Sequence, residues 1–148
     1  MREKFLERLR ADFTQFEFVC DHSFHWNLEK NSIFYTEDQD FEAKILHELG
    51  HALCGHRNFE KDIDLLKMEL EAWEQAKIVA QHYGVKIPQD LIEDHLDTYR
   101  DWLHKRSLCP NCQINGFQMK NGDYKCVNCQ QIWHNNDAKF TELRRYKK

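Results

Sequence analysis

The hydrophobic positions of the chain follow two different periods. Helical spacing runs through residues 2–13, 38–55 and 60–83, and a further helix is predicted after Pro88. Residues 16–36 instead form three short runs rich in aromatic and β-branched residues, separated by polar breaks, which is typical of a small antiparallel sheet. The pattern therefore predicts an α+β fold with three or four helices and one small sheet.

The chain changes character after Ser107. Two Cys-x-x-Cys pairs enclose a polar stretch that contains Asn121-Gly122, and Asn-Gly between strand-like runs is a strong hairpin signal. The final residues are polar and basic, and three apolar positions among them predict a last short helix: Phe140, Leu143 and Tyr146. The expected divisions are a main domain over 1–107, a small module over 108–135 and a basic tail over 136–148.

Composition places the chain among soluble globular proteins. Of its 148 residues, 41% are hydrophobic and 31% are charged, so a core can form and disorder is not expected for most of the length. No stretch approaches the roughly 18 consecutive apolar residues of a membrane span, and the charged N-terminus has no signal-peptide core. The expected location is the cytoplasm, without membrane contact.

Charge is distributed unevenly along the chain. Residues 1–102 carry 12 Lys or Arg against 22 Asp or Glu, whereas residues 103–148 carry 9 against 3. The basic C-terminal part is the better candidate for contact with nucleic acid or an acidic protein surface. Attraction between the two parts of the chain explains the same asymmetry equally well.

The run His47-Glu48-Leu49-Gly50-His51 carries the clearest chemistry. Residues four apart share one face of a helix, so both imidazoles can bind one Zn²⁺ while Glu48 stands beside them. Such a site hydrolyses amides, because the metal lowers the pKa of its water to about 7 and the glutamate accepts the proton and passes it to the leaving amine. The run lies inside a predicted amphipathic helix, which favours a site over incidental histidines.

A zinc site of this kind needs a third protein ligand and an open fourth position. The metzincin pattern H-E-x-x-H-x-x-G-x-x-H fails, because Cys54 and Arg57 occupy the positions of its glycine and third histidine. The next predicted helix offers three glutamates: Glu69, Glu71 and Glu74. Glu71 is our choice and Glu74 the reserve, since 20 residues after His51 allow a turn and a return along an antiparallel helix.

Two segments, His47-Glu48-Leu49-Gly50-His51-Ala52-Leu53 and Glu69-Leu70-Glu71-Ala72, resemble the ImmA/IrrE-type family of short metallopeptidases. That family carries HE-x-GH and then a glutamate ligand followed directly by alanine, and the resemblance covers residues 30–83. It implies a minimal zincin-like core, catalytic Glu48, and the zinc ligands His47, His51 and Glu71. Trp73 departs from the small polar residue usual there, and no helix-turn-helix segment is evident.

Four cysteines form the most specific motif: Cys109, Cys112, Cys126 and Cys129. Two Cys-x2-Cys pairs separated by 13 residues can bind one tetrahedral Zn²⁺ with no open position, which predicts a structural zinc ribbon. Redox-active pairs are the rival and lack the expected βαβ setting. A ribbon beside HExxH also resembles SprT-like proteases, although those usually take a third histidine. Cys20 and Cys54 remain as free thiols.

The sequence therefore predicts a gluzincin-like zinc metalloendopeptidase with two zinc ions, one catalytic and one structural, acting on a protein or peptide substrate. The alternative is a non-catalytic zinc-binding adaptor or a nucleic-acid-binding protein that acts through the ribbon. The residues Ile33-Phe34-Tyr35 are a candidate for the edge strand that binds an extended peptide, and the alternative is an interior strand without a role in substrate binding. Five residues are candidates for stabilising the oxyanion: His56, His82, Tyr83, His95 and Tyr99.

Overall fold

The computed structural model describes residues 2–137, 139 and 141–148. In that part of the chain the helices are α1 (Arg2–Asp12), α2 (Phe41–Cys54), α3 (Asp62–Tyr83) and α4 (Gln89–Arg106). The strands are β1 (Glu17–Cys20), β2 (His25–Asn27), β3 (Ser32–Tyr35), β4 (Phe117–Gln118), β5 (Tyr124–Lys125), β6 (Ile132–Asn135) and β7 (Arg145–Lys147). The α+β class and the four helices expected from the hydrophobic periodicity are confirmed.

Two compact units make up the chain. The first comprises Met1–Asn58 and Met68–Ile92, and the second Phe59–Lys67 and Glu93–Lys148. The expected divisions after residues 107 and 135 stay a prediction. No helix among the described residues is both long enough and apolar enough to cross a membrane.

The sheet of the first unit has the strand order β1-β3-β2. Strand β3 pairs in parallel with β1, matching Ile33 to Phe18, and in antiparallel with β2, matching Ile33 to Trp26. The sheet is therefore mixed, and the segment Ile33-Phe34-Tyr35 is its central strand. The expectation that this segment forms an edge was wrong, because both sides of β3 are already hydrogen-bonded. The free edge beside α2 belongs to β2.

Helix α2 presents its apolar face to this sheet. Ile45, Leu46 and Leu49 recur at helical spacing and are fully buried. Phe41 begins the helix, and Gly55 ends it in the left-handed conformation, with its backbone N–H donating to the Ala52 carbonyl. This left-handed C-cap is a usual helix stop and turns the following residues back towards the helix.

Helices α2 and α3 approach each other closely at Gly50. A Cβ atom on Gly50 would lie 2.2 Å from the carbonyl oxygen of Ala72 and 2.9 Å from its carbonyl carbon. Ala72 itself is fully buried. Backbone atoms cannot move aside as a side chain can, so only glycine fits at this position of the HExxH run.

Replacing Gly50 with alanine is expected to destabilise the protein by about 1–3 kcal/mol, because the added methyl overpacks the contact with the Ala72 backbone. Chemical denaturation measures the effect, with Glu42→Ala on the exposed face of α2 as the control. Helix propensity alone favours alanine over glycine by about 1 kcal/mol. A Gly50→Ala chain that is as stable as the parent, or more so, would contradict the close approach.

The second unit contains a four-stranded antiparallel sheet in the order β4-β5-β6-β7. The expected hairpin at Asn121-Gly122 is present between β4 and β5, and Gly122 adopts φ 91°. The end of the chain forms strand β7 on β6, where a short helix had been expected. That expectation was wrong for Tyr146, which pairs with His134, whereas Phe140 lies outside the described residues.

A buried ion pair ties the helical part of this unit to the sheet. Asp62 at the start of α3 accepts hydrogen bonds from Arg106 Nε and from the Tyr124 hydroxyl, both at 2.7 Å. The Arg106 carbonyl in turn accepts from the indole N–H of Trp133, which has no exposed surface. Because every buried charge here has a partner, the cluster fixes the sheet against the ends of two helices.

Candidate active site and metal centres

The two histidines of the HExxH run lie on one face of α2, as their four-residue spacing requires. His47 and His51 are both buried. Their Nε2 atoms lie 3.1 Å apart and point into the same space. The indole of Trp73 packs on the His47 ring with the two ring centroids 4.2 Å apart, so Trp73 forms one wall of this site.

Glu69 of α3 supplies the carboxylate that faces both rings. Its Oε2 atom lies 2.8 Å from His47 Nε2 and 3.2 Å from His51 Nε2. Only 5% of Glu69 is exposed. The three donor atoms therefore form a nearly equilateral triangle inside the first unit.

Glu71, the third ligand predicted from the sequence, does not lie with the two histidines. Its side chain is 49% exposed, and it contacts His56, with 3.1 Å between Glu71 Oε2 and His56 Nε2. Residues two apart on a helix point in nearly opposite directions, so Glu69 and Glu71 cannot share one site. The reserve, Glu74, is 68% exposed and pairs with Lys77.

The helical spacing of buried residues in α3 distinguishes Glu69 from the other two glutamates. Counting from this glutamate, the residues at i+3, i+4 and i+7 are Ala72, Trp73 and Ala76, and all three are buried. Glu69 thus belongs to the apolar stripe that faces the core, the one glutamate of the three with that phase. The number of residues between His51 and a glutamate shows only that the chain is long enough to return, and does not show which face of α3 the glutamate occupies.

The triangle of donors fits a zinc ion. Ligands of a tetrahedral zinc at about 2.0–2.1 Å stand roughly 3.3 Å apart, and the observed separations are 2.8, 3.1 and 3.2 Å. Two imidazoles and one carboxylate are the donor set of catalytic zinc sites that keep a fourth position open. The residues present therefore suit this metal in number, chemistry and spacing.

The electrostatics of the triangle favour a cation. Burial opposes charge on Glu69, yet hydrogen bonds and positive charge from His47 and His51 hold the pKa of its carboxyl well below the ordinary value. Burial alone would lower the pKa of His51, but hydrogen bonding and attraction to Glu69 raise it instead. The carboxylate is thus ionised and attracts positive charge to the point where both rings converge.

Glu48 stands beside the triangle, between α2 and the edge strand β2. Burial raises the pKa of Glu48 to about 7, with attraction to the charge of His51 opposing the rise and repulsion from Glu69 adding to it. The backbone N–H of Trp26 donates a hydrogen bond to its carboxylate. A carboxyl with a pKa near neutrality can both accept and return a proton, as a general base that later acts as an acid must.

The oxyanion candidates fall into different places. The Tyr83 hydroxyl donates a hydrogen bond to Asp12. Burial raises the pKa of this phenol, and the hydrogen bond to Asp12 raises it further. His82 is exposed at the end of α3. His95 and Tyr99 belong to the second unit, where their rings contact each other with centroids 5.3 Å apart. The ring of His56 contacts that of His51, a residue of the triangle, with 2.8 Å between the two Nδ1 atoms.

The four ribbon cysteines form a cluster that can hold a metal ion such as zinc. Their Sγ atoms are separated by 3.6 Å for Cys109 and Cys129, 3.4 Å for Cys112 and Cys126, and 3.7 Å for Cys112 and Cys129. Zinc–sulfur bonds of about 2.3 Å place tetrahedral ligands roughly 3.8 Å apart, so the cluster has the required size.

Backbone amides surround these sulfur atoms. The N–H of Asn111 points at Cys109 Sγ, and the N–H groups of Asn128 and Cys129 point at Cys126 Sγ, at 3.4 to 3.5 Å. Hydrogen bonds from backbone N–H groups stabilise thiolates. The backbone N–H of Ile114 and the contact from Cys126 lower the pKa of Cys112 to about 6. Thiolates, not thiols, are the form that binds metal.

The structure thus defines a class: an α+β protein with a cysteine cluster suited to metal and a separate His-His-Glu triangle beside a partly buried carboxyl group. We compared the chain with protein-family models, curated proteins and solved structures, and none of the three comparisons gave a match. The resemblance to ImmA/IrrE-type peptidases therefore stays a prediction, and the function is argued from the site itself.

Proposed function

We propose that this protein is a zinc-dependent metalloendopeptidase whose catalytic zinc is held by His47, His51 and Glu69. The observation that supports it best is the convergence of these three donor atoms within 3.2 Å of one another, with Glu48 on the adjoining position of α2. This replaces the sequence-based ligand Glu71 with Glu69 and keeps the remainder of the predicted site.

A zinc ion bound by this triangle supplies Lewis acidity, which acidifies water and polarises a peptide carbonyl. The chain supplies the proton transfers. The carboxylate of Glu48 accepts the proton of the attacking water and delivers it to the departing amine. The hydrogen bond from the Trp26 backbone orients this carboxylate, and the Trp73 indole shields the His47 side of the site from solvent.

Strand β2 supports a peptide as substrate. It is the edge strand of its sheet that lies beside α2, and free edges bind extended peptides by adding a strand. Trp26 at its centre reaches Glu48 through its backbone, so a peptide lying along this edge passes the proposed base. This assigns to β2 the role first predicted for β3.

The competing proposal is a non-catalytic adaptor that binds nucleic acid or a partner through the cysteine cluster. The basic charge of the C-terminal part supports it. The two proposals differ in the number of metals, because an adaptor needs only the cysteine site. Four cysteine ligands leave no open position on a bound metal, so we propose a structural role for the ribbon. Recognition of protein or nucleic acid is its further proposed use.

Replacing Glu69 with glutamine is expected to lower the zinc content of the purified chain from two ions to one. The amide cannot supply the negative charge that balances the metal, while the cysteine cluster is unaffected. Elemental analysis after gel filtration measures the loss.

Glu71→Gln is the matched control for this experiment, because it changes the same residue type two positions away on α3. At saturating zinc it should retain two ions. The proposal would be contradicted if Glu71→Gln lost a zinc ion and Glu69→Gln kept both, which would restore the ligand first predicted from the sequence.

A further inference from the structure

A chain of contacts runs outward from the proposed zinc ligand His51. Its second ring nitrogen, Nδ1, lies 2.8 Å from Nδ1 of His56. On the far side of that ring, Nε2 of His56 lies 3.1 Å from Oε2 of Glu71. Only 9% of the His56 side chain is exposed, so its ring is held between the two neighbours and away from solvent.

Zinc on His51 would determine the proton positions along this series of side chains. If Nε2 of His51 uses its lone pair to bind zinc, the neutral ring carries its proton on Nδ1. His56 must then accept at Nδ1, which leaves its own proton on Nε2. That proton points at the Glu71 carboxylate, an acceptor. Each of the three groups is therefore satisfied in one tautomeric arrangement.

We propose that His56 and Glu71 are positioning residues for the catalytic zinc, forming the hydrogen-bonded series Glu71, His56, His51. The inference rests on the proposed function, since it takes His51 to be a zinc ligand. Zinc-bound histidines usually donate their other N–H to a fixed acceptor, which sets the tautomer and orientation of the ring. Here the acceptor is a second histidine, oriented in turn by a carboxylate.

The backbone places His56 where this role requires it. Gly55 is in the left-handed conformation at the end of α2, and the following N–H of His56 donates to the carbonyl of His51 at 3.1 Å. The carbonyl of His56 accepts from the indole N–H of Trp26 at 3.2 Å. The residue is thus fixed at both its amide and its carbonyl, independently of its side chain.

The nearest alternative is that Cys54, His56 and Glu71 bind a metal ion themselves, because one donor atom of each lies within 4.8 Å of the others. Metal on Nε2 of His56 would place a proton on its Nδ1. That proton would face the Nδ1 proton of zinc-bound His51 across 2.8 Å. The two arrangements are incompatible, and the positioning role is the one consistent with zinc on the triangle.

The test is the zinc affinity of the triangle, measured on the full chain by competition with a chelator while the cysteine zinc serves as an internal reference. His56→Leu is expected to weaken this affinity by about 10–100-fold, the usual effect of losing an outer hydrogen-bond partner. His56→Asn should restore most of the affinity, because its amide oxygen can accept from His51. Glu71→Gln should weaken binding by roughly 2–5-fold, since an exposed charge contributes little.

Glu74→Gln is the matched control, one turn from Glu71 on the same helix, and should leave the affinity unchanged. Nitrogen NMR of the histidine rings adds a readout that does not depend on activity or on any variant. In the zinc-loaded wild type, His56 should carry its proton on Nε2 and accept at Nδ1. If His56→Leu fails to fold, Glu71→Gln and these spectra decide the question.

Wild-type protein that binds only the cysteine zinc would overturn the proposed function and this inference together. Two zinc ions in the wild type with unchanged affinity in His56→Leu would overturn the inference alone, as would a protonated His56 Nδ1. A third zinc ion that is lost in Cys54→Ser would overturn it in favour of a metal site at Cys54, His56 and Glu71.

Discussion

Replacing Glu48 with glutamine is expected to slow peptide hydrolysis by about 10²–10⁴-fold, the usual contribution of a general base. Glutamine has nearly the same shape and cannot accept the proton of water, so the chemical step fails while the zinc ligands remain. Cleavage of fluorescein-labelled casein and of a mixed peptide library measures the rate. The zinc content should stay at two ions.

The matched control for Glu48→Gln is Glu42→Gln, which alters an exposed glutamate in the first turn of the same helix. It should cleave at the wild-type rate. Equal rates for wild type and Glu48→Gln would remove Glu48 from the chemistry. A wild-type chain with two zinc ions that cleaves neither casein nor any library peptide would contradict the peptidase proposal and favour the adaptor.

Replacing Cys126 with serine is expected to unfold the sheet formed by β4 to β7. Cys126 has no exposed surface and belongs to the small core of this unit, with Cys109, Tyr124 and Trp133. Structural zinc in modules of this size contributes an apparent binding free energy of about 10–16 kcal/mol at pH 7, and so few apolar residues cannot replace it. Hydrogen exchange and the near-ultraviolet signal of buried Trp133 should both report the loss.

Cys20→Ser controls for the general effect of removing a thiol, because Cys20 is exposed and lies outside the cluster. It should leave the fold and both zinc ions unchanged. In Cys126→Ser the zinc of the His-His-Glu triangle should remain, giving one ion per chain. If Cys126→Ser keeps protected amides in β4 to β7 without its zinc, the metal is not what stabilises this sheet.

Much of the fold follows from local signals. Periodicity located all four helices, because burying one face of a helix requires apolar residues at a fixed spacing. Asn121-Gly122 located the hairpin, because its turn needs a positive φ that glycine adopts freely. These signals act within a few residues of one another, and tertiary structure did not override them.

The errors lie where distant segments compete. Strand β3 is central because β1, which precedes β2 in the sequence, pairs with it in parallel on the side opposite β2. No local sequence pattern encodes a pairing between strands that are not consecutive. The end of the chain contains apolar residues compatible with a helix, yet the free side of β6 offers hydrogen bonds that make Arg145–Lys147 a strand. Pairing with an existing edge outweighed the weak helical propensity of so short a segment.

The candidate site divides in the same way. Spacing alone brought together His47, Glu48 and His51, because one helix determines their relative positions. The same holds for each Cys-x-x-Cys pair, whose two sulfur atoms are related by one tight turn. The orientation of Glu69 towards the histidines depends on the rotation of α3 about its own axis. The close approach of Gly50 to the Ala72 backbone is a contact between two helices that restricts this rotation.

By itself, the sequence determined the class of fold, the HExxH helix and the four cysteines of the ribbon, because each rests on contacts within one segment. Only the tertiary structure decided that Glu69 faces the histidines, that β2 is the edge strand beside α2 and that Glu71 reaches His51 through His56. These depend on how separate elements pack against one another, and a residue two positions along a helix points the opposite way.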